Sequence, residues 1–302
     1  MGNRIFVAVV FLLWGAAMSW LMMARILPPF FNGEPPAHGK LDRDAPICWQ
    51  IEYGDRPVGY AVSQAVPGAL GTTEIHSRVL LEGIDLKAMA PQWMSTLVRG
   101  VGEIRLDTRT RMVLDSLGQL ASFETRVRLN DMPLVVRMKG RVDGAELKLK
   151  IQSGEVTHEA SYPVPACALL SSELIPEPKL LQVYVGRKWQ QEVFSLFRPP
   201  NSSLELMQAE VVEEGSIMHG GTLTRAKKIE YRTLSAAGVA ADNTLRSALW
   251  VGDDGNVLRQ DMYLMNAKLR FERSDEPAMA GLAEELLDLE TVATIAPEHA
   301  SP

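Results

Sequence analysis

The residues with chemical potential in this 302-residue chain are few and scattered. Five histidines occur, at 38, 76, 158, 219 and 299. His38 falls in a proline-rich stretch and His299 in the tail. His158 shares a strand face with Val156, Ala160 and Tyr162, where a hydrogen-bonded core histidine is expected. His76 alternates with Ile75 and Ser77 and is expected to face solvent. No His-Glu-x-x-His helix and no Gly-x-Ser-x-Gly elbow is present. His219-Gly220-Gly221-Thr222 is similar to an oxyanion loop, but without the elbow it reads as a glycine hairpin turn. Gly100-Val101-Gly102 lacks the third glycine of a dinucleotide fingerprint. Asp253-Asp254-Gly255-Asn256 is too short for a calcium loop and reads as a turn. Asn201-Ser202-Ser203 fits the glycosylation sequon, which matters only in a eukaryotic secretory route.

Cys48 and Cys167 are the only cysteines. Neither has a close partner of metal-site type, so no zinc site is expected. In an oxidising compartment the two could pair; two buried thiols are the alternative. These absences point away from enzymes and cofactors, although an unrecognised chemistry around His158 or His76 stays open.

Charge excludes another class. The 37 Asp and Glu include seven that follow Arg273, where no Lys or Arg occurs, leaving 30 acids against 31 bases in the body. A general nucleic-acid binder would carry a strongly basic domain, so no nucleic-acid partner is expected.

The elements that would position any site are strands. From Glu103 to Val164 apolar and charged residues alternate with period two, as in half-buried strands. Ile104, Leu106, Thr108, Thr110 and Met112 share one face, Phe123, Thr125, Val127 and Leu129 continue it, and Val136 and Met138 follow, then Leu147, Leu149 and Ile151. Turn chemistry separates the runs at Ser116-Leu117-Gly118, Asn130-Asp131, Asp143-Gly144 and Ser153-Gly154. The pattern predicts a meander with one dry and one wet face. Shorter strands precede it from Ile47. Further strands are expected over Arg187–Phe197, Leu204–Glu213, Thr222–Leu234, Ala248–Val251, Val257–Leu264 and Lys268–Phe271. Prolines at 163, 165, 176 and 178 mark an irregular crossover or cap between the two series. A short helix beginning near Pro91, with Met89, Trp93 and Leu97 on one side, is expected to cover the dry face.

Residues 1–27 contain an uncharged run from Ile5 to Met23, long enough for a bilayer-spanning helix. A cleaved signal peptide is the rival, with Ala17-Met18-Ser19 as its cleavage site. The continuation through Ile26 and Leu27 favours an uncleaved anchor. Residues 28–46 form a proline-rich linker. Residues 47–273 form the antiparallel β domain, and 274–302 an acidic helix with a disordered tail. The expected fold class is mainly β (α+β): a strongly curved antiparallel sheet or half-barrel with a few covering helices and an N-terminal transmembrane helix.

Two surfaces remain as candidates. The dry face, with Leu106, Met112, Phe123, Val127, Val136, Met138 and the covering Trp93, is a packed core or a cavity for a lipid or other apolar ligand. The wet face, with Arg126, Arg128, Arg137, Lys139 and Arg141, is a solvated charge ladder or a docking face for anionic headgroups or an acidic envelope partner.

An apolar N-terminal segment, long one-sided strands, a helix laid over them and the hairpin Trp250-Val251-Gly252-Asp253-Asp254-Gly255-Asn256-Val257-Leu258-Arg259 together resemble the periplasmic lipoprotein-carrier-like half-barrels and related β-rich bacterial envelope proteins. The resemblance covers Ile47 to Arg273. It implies a curved sheet around a hydrophobic cleft and supplies no catalytic residues. The carriers are soluble or lipid-anchored, whereas this chain keeps a protein anchor. The expectation is a single-pass protein of the bacterial inner membrane, its C-terminal domain in the periplasm or outside. It would be a non-enzymatic module binding a lipid, or alternatively an accessory subunit docking through its basic face.

Overall fold

The computed structural model describes residues 2–22, 35–36, 45–85, 103–130, 136–163, 176–194, 204–233, 244–264 and 267–274. The short helix around Trp93, the acidic terminal helix and the sequon at Asn201 lie outside the described residues.

The alternating patterns become one antiparallel sheet of fourteen strands. The first eight run β1 (Ile47–Tyr53), β2 (Arg56–Pro67), β3 (Thr73–Asp85), β4 (Glu103–Leu114), β5 (Leu120–Leu129), β6 (Val136–Asp143), β7 (Glu146–Ser153) and β8 (Val156–Pro163). A second meander follows: β9 (Lys188–Phe194), β10 (Leu204–His219), β11 (Thr222–Thr233), β12 (Leu245–Gly252), β13 (Val257–Leu264) and β14 (Ala267–Ser274). The spatial order is β8-β7-β6-β5-β4-β3-β2-β1-β14-β13-β12-β11-β10-β9. Within each meander sequence neighbours pair, β8 and β9 being the exception between them, and the two meanders join where β1 meets β14, with Cys48 opposite Ser274 and Tyr53 opposite Leu269. The sheet is not closed: β8 and β9 form its two edges.

The turns follow their residues. Gly118, Gly144 and Gly154 hold positive φ at the ends of β4, β6 and β7, as tight reversals require. The His219–Thr222 string is the two-residue hairpin turn of β10 and β11, with Gly220 at φ 53° and Gly221 at φ 76°. β10 runs six residues beyond the expected end at Glu213. A bulge between Val211 and Glu213 shifts its alternation, so the period-two pattern breaks where the strand continues.

Residues 176–187 are the crossover expected from their prolines. Leu180 N–H donates to the Gly255 carbonyl (2.8 Å), Val257 N–H donates to the Pro178 carbonyl (3.2 Å), and Gly186 N–H donates to the Val211 carbonyl (2.9 Å). The segment thus runs from β13 across to β10, with Leu180 buried beneath it.

The main core gathers side chains from β1–β3 and β9–β14, including Trp49, Ile51, Trp189, Ile229, Leu249, Leu269 and Phe271. A second, smaller cluster lies on β5–β7, where Phe123, Met138, Leu147 and Leu149 are buried. Two glycines fix strand contacts. A Cβ on Gly59 would sit 1.9 Å from the Leu80 carbonyl oxygen of the adjoining strand; a Cβ on Gly140 would sit 2.0 Å from the Phe123 ring. Backbone cannot yield as a ring can, so Gly59→Ala is expected to cost the upper part of the ~1–3 kcal/mol typical of overpacking, and Gly140→Ala the lower part. Urea unfolding midpoints check this ranking; a neutral Gly59→Ala would contradict the close approach.

Helix α1 (Gly2–Leu21) is 20 residues long, about 30 Å at the α-helical rise. Phe11, Leu12, Leu13, Trp14 and Trp20 are exposed on it. Among the described residues no helix is long and apolar enough to cross a membrane, the side chains of α1 being described only from Val10 on. The span expected over 1–27 thus has a helical backbone, without a described apolar stretch long enough to cross.

Candidate functional site

The pairing register places the expected apolar residues on one face. Met112 stands opposite Phe123, which stands opposite Gly140; Val127 stands opposite Val136, and Thr125 opposite Met138. Leu106 packs instead against the main core. Trp93, expected to cover this face, lies outside the described residues. Around the buried Phe123, Met138, Leu147 and Leu149, the side chains of Met112, Leu120, Val136, Val142, Ile151 and Tyr162 are only partly buried. The same face on the β9–β14 half is closed, with Trp189, Leu269 and Phe271 fully inaccessible. One inner surface therefore has a sealed half and a half-open half.

A polar band separates the two. Ser63 donates to Ser77 (3.2 Å), and the Thr110 and Thr125 hydroxyls share a hydrogen bond (3.1 Å). All four are buried. Thr108, 6% exposed, has a buried hydroxyl with no hydrogen-bond partner. The alternation already placed Thr108, Thr110 and Thr125 inside. Their alignment into a hydroxyl band was not legible, because Ser63 and Ser77 join it only through the register of β2 with β3.

On the opposite face the basic residues come together, but unevenly. Arg78, Arg109, Arg126 and Arg137 stand directly opposite one another on four adjacent strands, β3 to β6. Carboxylates interleave this row. Arg78 makes a bidentate pair with Asp107, both bonds 2.8 Å. Glu124 accepts from both Arg126 and Arg137 at 2.8 Å. Burial pushes the Glu124 carboxyl up, yet the hydrogen bonds from the two arginines outweigh it and hold the group below the usual carboxylate range. Arg111 forms a second bidentate pair with Glu74, at 2.9 and 2.8 Å, which lowers Glu74 in turn. Towards β8, Lys148 pairs with Asp143 and Lys150 with Glu159. Of the candidate docking residues, Arg126 and Arg137 are thus tied to a carboxylate, while Arg128, Lys139 and Arg141 are exposed and enter no ion pair among the described residues.

A further charged group was missed in the sequence. Asp261 is only 1% exposed and faces Arg259 (2.8 Å), Lys268 (2.7 Å) and Arg270 (3.5 Å). Burial raises its carboxyl, and the hydrogen bonds from Arg259 and Lys268 more than reverse this, leaving it depressed. Arg259 also lies 4.4 Å from the centre of the Trp250 ring. The signal existed: Arg259 and Asp261 alternate on β13 facing Lys268 and Arg270 on β14, but only the register shows them meeting.

The remaining candidates separate. His158 is exposed in β8, not in the core as its neighbours suggested; among the described residues β8 is an edge strand, paired with β7 alone. His76 lies 3.3 Å from Glu74 beside the Arg111 pair, half-buried on the charged face. Cys48 is buried in β1; Cys167 lies outside the described residues, and so does the choice between a pair and two buried thiols. Asp253-Asp254-Gly255-Asn256 is a hairpin turn in which Asn256 N–H donates to the Asp254 carboxylate, with Gly255 at φ 81°. Among the described residues no cluster of His, Cys, Asp or Glu could hold a metal ion.

No family model matches the chain, and no curated protein does. Two solved structures are similar in outline. One is a β-barrel-like protein of a domain of unknown function from Brucella abortus, with TM-score 0.47 and 10% identity, covering 76% of this chain and 94% of that one. The other is a protein described as a candidate lipoprotein from Parabacteroides distasonis, with TM-score 0.27 and 8% identity, covering 80% of this chain and 98% of that one.

Proposed function

We propose that the chain is a non-enzymatic binding module of a bacterial envelope, holding a lipid or other apolar molecule against the inner face of β4–β8. The observation that carries this reading is the partly exposed apolar rim of Met112, Leu120, Val136, Val142, Ile151 and Tyr162 around Phe123 and Met138, beside a sealed half of the same face. Leaving this much apolar area in water forgoes about 25 cal/mol per Å², so a ligand that covers it gains what folding left unused. The hydroxyl band of Thr108, Thr110 and Thr125 would meet the polar end of an amphiphile whose chain lies along the rim. On this reading the sheet curls as a half-barrel about its ligand. Helix α1 is an uncleaved anchor in the inner membrane, supported by its length and its exposed Phe11, Leu12, Leu13 and Trp14. The β sheet then stands on the periplasmic or outer side.

Native mass spectrometry of the full chain, purified in mild detergent from a lipid-containing host, tests the proposal. The expected result is a bound species of lipid mass at near one-to-one stoichiometry. Val136→Glu, a change on the open rim, should remove it while circular dichroism stays unchanged. A ligand-free chain, or a ligand retained by Val136→Glu, would overturn the lipid reading.

A further inference from the structure

The outer face of β5, β6 and β7 carries a charge arrangement that folding alone does not favour. Strand β6 presents Arg137, Lys139 and Arg141 at alternate positions, and each has a cation directly opposite on one side: Arg137 opposite Arg126, Lys139 opposite Lys150, Arg141 opposite Lys148; on the other side Lys139 faces Glu124, Arg141 faces Ser122 and Arg137 faces Gln152. Like charges directly opposite across an antiparallel pair are destabilising. The edges of the patch are neutralised, by Glu124 between Arg126 and Arg137, by Asp143 on Lys148 and by Glu159 on Lys150. Its centre is less so: Lys139 and Arg141 are exposed and enter no ion pair among the described residues, although Glu124 stands across from Lys139, and Arg128, two residues beyond Arg126 on β5 and across from Asp107, is likewise exposed and outside any ion pair. With a rise of about 3.3 Å per residue and strands about 4.8 Å apart, the cations form a strip roughly 13 Å by 10 Å. That is the area of a few adjoining phosphate headgroups, and its three rows hold Arg126, Arg137, Lys139, Arg141, Lys148 and Lys150 against Glu124 alone, with Ser122 and Gln152 neutral.

We infer that this strip docks the sheet onto an anionic phospholipid surface, through Lys139, Arg141 and Arg128 with Arg137 behind them. The occupant follows from charge complementarity over a broad, regularly spaced face, and from the exposed apolar helix α1 on the same chain. The inference deepens the anchored reading above. A basic side chain at such a surface contributes about 1 kcal/mol, fading within a Debye length, so three exposed cations outside any ion pair give reversible contact and not insertion.

Lysine footprinting of the full chain in lipid nanodiscs tests it. The chain is incorporated into discs of phosphatidylcholine alone or with about a third phosphatidylglycerol, acetylated briefly and read by mass spectrometry. In anionic discs Lys139 should react at least fivefold more slowly than in zwitterionic ones, while Lys188, Lys227 and Lys268 on the other half of the sheet react alike in both. The protection should vanish in 0.5 M salt. Arg141→Glu should remove most of it, and Arg141→Lys should retain it. Equal labelling of Lys139 in both discs overturns the inference, as does uniform protection of every lysine. Protection by millimolar inorganic phosphate without lipid would make the strip a soluble-phosphate site and overturn the bilayer assignment. Protection by polyglutamate but not by anionic discs would assign it to an acidic protein and overturn it too. Co-elution of the chain with zwitterionic discs separately reports the anchor, so a failed anchor and a failed strip give different results.

Discussion

Trp189→Ala is expected to lower the unfolding free energy by about 3–5 kcal/mol, the range for removing a large aromatic from a core. Trp189 is wholly inaccessible and meets the Tyr231 ring edge-on, with centroids 5.8 Å apart and planes at 83°. Its indole N–H donates to the Gln191 side-chain oxygen at 3.2 Å, so truncation also strands an acceptor. Total stabilities of single domains run to about 5–15 kcal/mol, and the change would remove roughly a fifth or more of that. The useful control is Trp49→Phe. Trp49 is equally inaccessible, but its indole N–H is buried with no hydrogen-bond partner. An unsatisfied buried donor costs about 1–3 kcal/mol, so phenylalanine loses packing and removes a penalty at once. Trp49→Phe should fall within about 1 kcal/mol of the parent, whereas Trp189→Phe should cost more. Urea unfolding followed by circular dichroism gives both numbers. If the two phenylalanine variants are equally damaging, packing volume and not donor satisfaction sets the cost.

Asp261→Ala is expected to be as severe, about 3–5 kcal/mol, because it leaves Arg259, Lys268 and Arg270 facing each other without the carboxylate that binds them. Asp261→Asn keeps the shape and some hydrogen bonding, and should cost less. The pH dependence separates charge from shape. The folded-state pKa of Asp261 lies below its ordinary value of 3.8. A depressed carboxyl contributes stability that is fully present above the ordinary value and is lost as pH falls through the folded one. The parent protein should therefore lose stability as pH drops from about 4 downwards, and Asp261→Asn should lose less over the same interval. Some slope will remain, since Glu74, Glu124 and Glu230 are also depressed by their Arg or Lys partners. Identical acid slopes in the parent and the Asn variant would show that Asp261 does not supply this linkage.

What the sequence made legible was local. Alternation placed Leu106, Phe123, Val127, Val136 and Met138 on one face because period two needs no knowledge of neighbours, and the five strands β4–β8 follow it. Turn residues with positive φ located the hairpins for the same reason. The strand expected over Leu204–Glu213 stopped short because the Val211/Glu213 bulge inverts the pattern at that point. Partners across strands were not legible. Nothing in the spacing of Glu124 says that it bridges Arg126 and Arg137, or that Asp261 is buried among three cations. The basic face looked uniform in sequence, yet carboxylates on other strands neutralise its edges and leave Lys139 and Arg141 exposed at its centre. Nor does any local signal join β1 to β14, since that pairing depends on where the whole second meander ends.

The β1–β14 junction has a consequence for how the protein is made. Arg270 reaches Glu52 across a separation of 218 residues, and β1 takes its second partner, from Cys48 to Tyr53, from β14. During synthesis the first meander can zip from β1 to β8 as each hairpin emerges, but one edge of β1 stays open until β14 arrives. An unpaired edge invites pairing with other chains, and long-range closure is slow. For a chain threaded N-terminus first through a translocation pore, the vulnerable interval spans nearly the entire passage. The order of the strands thus leaves one edge of β1 without its partner until the second meander is complete.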